Sequence, residues 1–251
     1  MTGSLTEPAA LTAIALVFLL AGAVKGLVGL GLPTVSLALL TALFGLQPAM
    51  ALLLAPSLAT NAWQALAGGH GRPVFYRIWP LLLTAAVAIW LGVQVLATAR
   101  VELLRGLLGL LLVGYGALGL WKVRVYLPQR WEVWAAPLVG GVNGFLTGLT
   151  GSFVVPGVLY LQAIGLSRDQ LVQAMGQLFA VSTLALAAAL GDRDLVGGEL
   201  GLLSLAAVVP AGLGLVAGAR LRAGVGEARF QRLLYAALGL VGLYILATAA
   251  L

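Results

Sequence analysis

Long apolar runs alternate along the chain with short clusters of Gly, Pro and charged residues. The runs predict ten helical segments, at about 9–28, 32–46, 48–67, 77–98, 103–121, 133–150, 153–165, 169–190, 199–219 and 229–250. The first two are separated only by Gly29-Leu30-Gly31-Leu32-Pro33, and the sixth and seventh only by Thr150-Gly151-Ser152. Most runs are apolar all round, as a helix in lipid is, without the single apolar stripe of a soluble surface helix. The third and eighth differ. They carry Ser57, Thr60, Asn61 and Gln64, and Gln173, Gln177, Ser182 and Thr183. Ser57, Asn61 and Gln64 fall on one helix face, as do Gln173 and Gln177.

Composition sharpens this picture. Hydrophobic residues make up 61% of the 251 and charged residues only 9%. A soluble domain needs about 25% charged residues to cover its surface, so lipid is the expected solvent. The net charge of +6 on a soluble chain would suggest nucleic acid. Here the basic residues sit in short loops, where a positive-inside bias explains them and no nucleic-acid partner is expected. The chain has no cysteine and one histidine, His70. Thiolate metal sites and iron–sulfur clusters are therefore excluded, and neither a metal nor another cofactor is expected.

The segment order repeats. Gly45-Leu46-Gln47 aligns with Gly165-Leu166-Ser167, and Pro56-Ser57 with Gly176-Gln177. Lys25-Gly-Leu-Val-Gly29 pairs with Asn143-Gly-Phe-Leu-Thr147, which puts Lys25 opposite Asn143. The expected architecture is an all-α polytopic membrane protein of two inverted repeats, residues 1–125 and 126–251. Each repeat holds about five hydrophobic segments, the first pair broken or re-entrant. Loop charge orients it. With ten passes, one side receives His70, Arg72, Arg77, Lys122, Arg124, Arg130, Arg168, Arg220, Arg222 and Arg229. The other receives Arg100, Arg105 and Arg193, diluted by Glu102, Asp192, Asp194 and Glu199. The first side is the expected cytoplasmic one, with both termini outside. Trp79, Trp121, Trp131 and Trp134 lie at segment ends, as an interfacial belt requires, whereas Trp63 and Trp90 are expected to pack inside.

Candidate chemistry concentrates at the glycine breaks. Irregular backbone at membrane depth must be buried in protein or line a wet cavity. Helix ends there offer amide donors to an anion. Small residues also serve plain helix packing, and both readings remain open. Lys25 is the one ionisable residue placed within a span, directly before the first break. An anionic substrate would compensate its charge, and snorkelling to the interface is the alternative. No Asp or Glu is expected at mid-span, which disfavours a carboxylate proton relay or cation site. The candidate substrate-binding residues in the first half are Lys25, Gly29, Gly31, Thr34, Ser57, Asn61 and Gln64. Those in the second are Asn143, Thr147, Thr150, Gly151, Ser152, Gln173 and Gln177. The breaks are expected to enclose a polar cavity, with Ser36 beside Thr34 in its wall. The chain has no HExxH and no Gly-x-Ser-x-Gly motif, and it is not read as an enzyme.

The pattern Lys25-Gly-Leu-Val-Gly-Leu-Gly-Leu-Pro33, followed by Pro56-Ser-Leu-Ala-Thr-Asn-Ala-Trp-Gln64, resembles the sulfite exporter TauE/SafE family of bacterial inner-membrane permeases. Thr147-Gly-Leu-Thr-Gly-Ser-Phe-Val-Val-Pro156 and Gln173-Ala-Met-Gly-Gln177 resemble its second half. Many members carry three successive glycines in each break, where this chain has Gly29-Leu30-Gly31 and Gly151-Ser152-Phe153. The resemblance implies a secondary transporter exporting a small anion such as sulfite, a sulfonate or a related organic acid. A passive anion channel is the alternative. The expected partners are the anion and the bilayer, and coupling to a proton or another ion and a homodimer are both compatible with the sequence.

Because the chain has no cysteine, topology is directly testable. A single cysteine replacing Gln129 should react with an impermeant thiol reagent only after the cells are opened. Labelling in intact cells would reverse the assigned orientation.

Overall fold

The computed structural model describes residues 5–121, 125–221 and 227–249. Lys122, Arg124 and Arg222 of the loop-charge argument lie outside the described residues. Among the described residues the structure is all helix, with no strand. In chain order the helices are α1 (Pro8–Val28), α2 (Leu32–Phe44), α3 (Leu46–Leu52), α4 (Leu54–Leu66), α5 (Gly71–Leu96) and α6 (Val101–Leu120). There follow α7 (Gln129–Thr150), α8 (Gly157–Ala163), α9 (Arg168–Asp192), α10 (Gly198–Ala206), α11 (Val208–Leu221) and α12 (Glu227–Ala249). Six stretches are long and apolar enough to cross a membrane: α1, α5, α6, α9, the α10–α11 pair and α12 from Arg229. The chain is thus a multi-pass membrane protein.

Local sequence explains where helices start and stop. Pro8 opens α1, where its missing N–H costs nothing. Gly29 closes α1 with φ +82°, its N–H returning to Lys25 O at 2.7 Å. Gly151 closes α7 in the same way, with φ +73° and its N–H on Thr147 O at 2.7 Å. Both positions lie in the left-handed region, which side chains with a β-carbon disfavour. Ser167 and Gln170 form a reciprocal capping box at the start of α9.

The third and ninth predicted segments are each two helices, and proline is the reason. Pro56 cannot donate to Leu52 O, so the chain breaks at Leu53. Ser204 of α10 repairs the break. Its hydroxyl donates to Leu52 O at 2.9 Å and accepts from Ala55 N–H at 3.0 Å. Pro210 stands three residues past the matching break at Ala207.

Tertiary packing pairs α1 with α11, α7 with α5, α6 with α12 and α4 with α9. The first two pairs are built alike. Gly22 and Gly26 of α1 lie against the backbone of Ala211 and Leu215. Gly144 and Gly148 of α7 lie against that of Ala85 and Ile89. The facing helices return the contact, Gly218 against Ala23 and Gly92 against Phe145. In both pairs the residue numbers rise together, so the helices run parallel. Arg105 Nη2 donates to Thr248 Oγ1 at 3.2 Å while Gly116 meets Tyr235, so α6 and α12 run antiparallel. Lipid gives no hydrophobic drive between helices, and close backbone approach through small residues supplies the attraction.

Two tryptophans depart from expectation. Trp63 is 72% exposed and Trp90 is 39% exposed, so both face outward and are not interior packing residues. Trp79, Trp121, Trp131 and Trp134 are exposed as well. On α5 the buried face is aliphatic, with Ile78, Leu81, Ala85, Ile89 and Gly92, and the indole rings lie on the opposite face.

The crossings make a specific prediction. A β-carbon at Gly144 would lie 2.7 Å from Ala85 Cα, whereas one at Gly141 would meet nothing. Gly144→Ala should therefore cost about 1–3 kcal/mol and lower the melting temperature in detergent. Gly141→Ala should leave it unchanged.

Candidate functional site

Lys25 lies one turn before the Gly29 cap and is 4% exposed. It does not snorkel. Its ammonium donates to Thr60 Oγ1 at 3.2 Å and to Asn61 Oδ1, both on α4. The Thr60 hydroxyl is free to accept because its own proton goes to Pro56 O at 2.9 Å. That oxygen lies within the last-turn-type geometry that a threonine in a helix commonly uses. Among the described residues no carboxylate lies within ion-pair distance of Lys25. The two described pairs are Arg77–Glu132 at 2.8 Å and Arg100–Glu102 at 3.9 Å. An ammonium has three protons to donate, and two of these have partners.

The surrounding groups are under-satisfied. Asn61 is wholly buried, and its Nδ2 has no partner. Ser57, one turn earlier on the same face, is also wholly buried with an unpartnered Oγ. Buried polar atoms are almost always paired, so each exception calls for a reason. Gln64 ties the site together. Its Nε2 donates to Gly29 O at 3.1 Å and to Val172 O at 2.7 Å, joining α1, α4 and α9.

The second break is more self-contained. Thr147 Oγ1 donates to Asn143 O at 2.7 Å and lies 2.9 Å from Ser152 O. Thr150 Oγ1 donates to Leu146 O at 2.7 Å and accepts from Ser152 N–H at 3.3 Å. Asn143 Oδ1 accepts the Gly157 N–H at 2.9 Å and so caps the start of α8. Its Nδ2 is buried without a partner.

Of the fourteen residues expected from sequence, Lys25, Gly29, Asn61 and Gln64 form one connected cluster with Ser57 beside it on α4. Asn143, Thr147, Thr150, Gly151 and Ser152 form another around the second break. Gln173 and Gln177 instead clasp the α4–α5 turn: His70 N–H donates to Gln173 Oε1 at 2.9 Å, and Gln173 Nε2 to Ala65 O at 2.9 Å. Gln177 Nε2 donates to Gly71 O at 2.8 Å. Gly31, at φ +112°, opens α2, which buries Thr34 and Ser36. Leu37 of the same helix lies where a β-carbon on Gly151 would reach. The three described cavities lie elsewhere, and only one, of about 660 Å³, touches an expected residue, Gln177.

The glycines of α1 and α7 recur at one constant spacing, which differs from the sequence alignment of Lys25 with Asn143. The caps align Gly29 with Gly151, and the crossings align Gly22 and Gly26 with Gly144 and Gly148. At that spacing the position matching Lys25 is Thr147, one helical turn beyond Asn143. The sequence alignment followed the polar residue; the structure follows the helix end.

Thr60 and an ion-paired clamp were outside the expected set. Arg77 of α5 holds Glu132 of α7 through Nε at 3.0 Å and Nη2 at 2.8 Å, and Nη2 also donates to Ile164 O at 2.7 Å. Tyr160 Oη donates to Glu132 O at 3.4 Å. The clamp fastens α5, α7 and the end of α8. Glu132, an acid in the first turn of an otherwise apolar segment, was the available signal.

The sequence profile described as Sulfite exporter TauE/SafE matches residues 14–245. No curated protein and no solved structure matches the chain. The matched range contains both glycine breaks and every residue of the candidate site, and the chain belongs to the sulfite exporter TauE/SafE family of membrane transporters.

Proposed function

We propose that the chain is a secondary transporter that exports a small oxyanion, sulfite or a sulfonate, across the bacterial inner membrane. The anion sits at Lys25. The observation that carries this reading is a buried ammonium with no carboxylate counter-ion among the described residues, held against Asn61. A cation inside a span is costly, about 2.5–3.5 kcal/mol on insertion scales, and usually marks a substrate or ion path. A carboxylate would cancel the cost permanently. Neutral partners leave the charge to be compensated by the cargo.

The donor set fits an oxyanion. Lys25 keeps one N–H, and Asn61 Nδ2 adds two more. Ser57 Oγ, unpartnered on the same helix face, can turn its proton toward the same region. Three or four donors around one positive charge match a compact anion with several acceptor oxygens.

Alternating access is the mechanism in this proposal. The paired crossings, α1 on α11 and α7 on α5, support two inverted repeats that can rock against each other. The α4–α9 contact is common to both and would hold the site while the flanking pairs exchange positions. A carrier of this kind gives saturable uptake into vesicles and counterflow, whereas a pore gives neither.

Variants at matched expression test the site. Lys25→Ala should weaken sulfite binding at least tenfold while moving the melting temperature by only a few degrees, because removing a buried charge offsets the loss of its bonds to Thr60 and Asn61. Lys25→Arg should keep part of the activity. Wild-type affinity in Lys25→Ala would refute the assignment. Asn61→Asp is a second test with an opposite structural sign. It supplies Lys25 with a carboxylate, so it should abolish sulfite transport while preserving or raising thermal stability. Unimpaired transport in that variant would show that Lys25 is not the anion's counter-charge.

A further inference from the structure

The cavity of about 660 Å³ lies away from Lys25, beneath the turn that Gln173 and Gln177 clasp. Its walls come from α4 (Ala65, Leu66), α5 (Pro73, Phe75, Tyr76) and α9 (Ala180, Val181), and are mainly apolar. Two polar groups stand in it. Arg72 is the one charged residue of the lining. Gln177 is nine-tenths buried, and its Oε1 has no partner. Its Nε2 donates to Gly71 O, which fixes the amide with the acceptor free.

The position of the cavity follows from α5. Arg72, Tyr76, Trp79, Leu83, Val87 and Trp90 recur at helical spacing along one face. From Tyr76 onward their exposures are 67%, 49%, 55%, 58% and 39%. In a membrane protein, an exposed apolar stripe of this kind faces acyl chains. Arg72 begins the stripe, roughly 10 Å along the axis before Trp79, at the depth where headgroups lie. The mouth of the cavity is thus continuous with the lipid-facing surface. Leu66, 83% exposed, and Phe75, 46% exposed, complete its rim.

We infer that this cavity holds the headgroup and upper acyl chain of an anionic phospholipid bearing a free hydroxyl, of which phosphatidylglycerol is the available probe. Arg72 takes the phosphate, for which its guanidinium fork is suited. Gln177 Oε1 accepts the headgroup hydroxyl, a need that a bare oxyanion cannot meet because it has no proton to give. The apolar walls take the glycerol backbone and first methylenes. Basic pockets between spanning helices commonly bind acidic headgroups. The site does not depend on the anion reading of Lys25. Its bound lipid would brace the α4–α5 turn against α9 on the side where loop arginines are concentrated.

The test is native mass spectrometry of the full-length protein released from nanodiscs, with lipid retention counted. Wild type should retain phosphatidylglycerol over phosphatidylcholine, and Arg72→Ala should reduce that retention about tenfold. The control Arg193→Ala, on the opposite loop set, should not. Phosphatidylmethanol keeps the charge and lacks the hydroxyl. Wild type should prefer phosphatidylglycerol to it, and Gln177→Met should erase that preference. Soluble glycerol 3-phosphate and sulfite should not displace the lipid. Equal retention by wild type and Arg72→Ala overturns the proposal. So does displacement by glycerol 3-phosphate, which would mark a free phosphate site, or by sulfite, which would mark a vestibule for the cargo. Melting temperatures within a few degrees of wild type are expected for Arg72→Ala, since Arg72 is exposed.

Discussion

In lipid there is no water to complete a hydrogen bond, so every interruption of a helix must be mended by another part of the same chain. This structure is organised around its mends. Gly29 and Gly151 fold the ends of α1 and α7 back on their own last turns. Ser204 supplies α3–α4 with the donor and acceptor that Pro56 disrupted. Asn143 gives the first amide of α8 an acceptor, and Gln64 gives Gly29 O a donor from a different helix. The side-chain mends also fix contacts between helices. Such polar side chains hold helices in register in a medium where apolar burial alone cannot.

The same constraint separates what packs from what functions. Glycine crossings between α1 and α11, and between α7 and α5, leave no room and no free polar atom, and they set the distance between helices. Among the described residues seven buried side-chain atoms lack a partner, five of them on α4, α7 and α9: Ser57 Oγ, Asn61 Nδ2, Asn143 Nδ2, Gln177 Oε1 and Ser182 Oγ; the others are Thr41 Oγ1 on α2 and Arg105 Nε on α6. If these groups served only helix association, mutual pairing would be the stable arrangement. Leaving such groups open costs about 1–3 kcal/mol each. That cost is consistent with a site whose remaining partners arrive from outside the chain.

Much of the fold was legible because spans are long and their breakers are explicit. Predicted segment ends fall within a few residues of helices at Pro8–Val28, Leu32–Phe44 and Arg168–Asp192. The breaks at Leu53 and Ala207 were not anticipated, since both lie inside uninterrupted apolar runs and their causes, Pro56 and Pro210, stand three residues downstream. Of the site, Lys25 and Asn61 were legible as unusual polarity in a span. Their direct contact was not, because it joins residues on different helices. Gln173 and Gln177 were equally visible as polar residues, but the turn they bind is a backbone partner, which leaves no mark in sequence. Trp63 was misread because position within a segment says nothing of which face a side chain occupies.

On the proposed two-repeat reading, matching glycine breaks on α1 and α7 carry unlike side chains. Gly45 and Gly165, both with positive φ, align the polar helices α4 and α9. On that alignment Asn61 corresponds to Val181, while Lys25 corresponds to Thr147. The charge and its amide partner are thus both present in the first half and both absent in the second. Thr147 bonds within its own half, to Asn143 O and Ser152 O, and needs no partner on α9. Asn143 in turn corresponds to Ala21, a wholly buried methyl group. Each half therefore carries one polar device at its break, and the two devices differ. A shared backbone plan keeps the two breaks mechanically alike. Unlike side chains place a single ammonium, Lys25, at the breaks, where two buried close together would repel through a medium that screens them poorly.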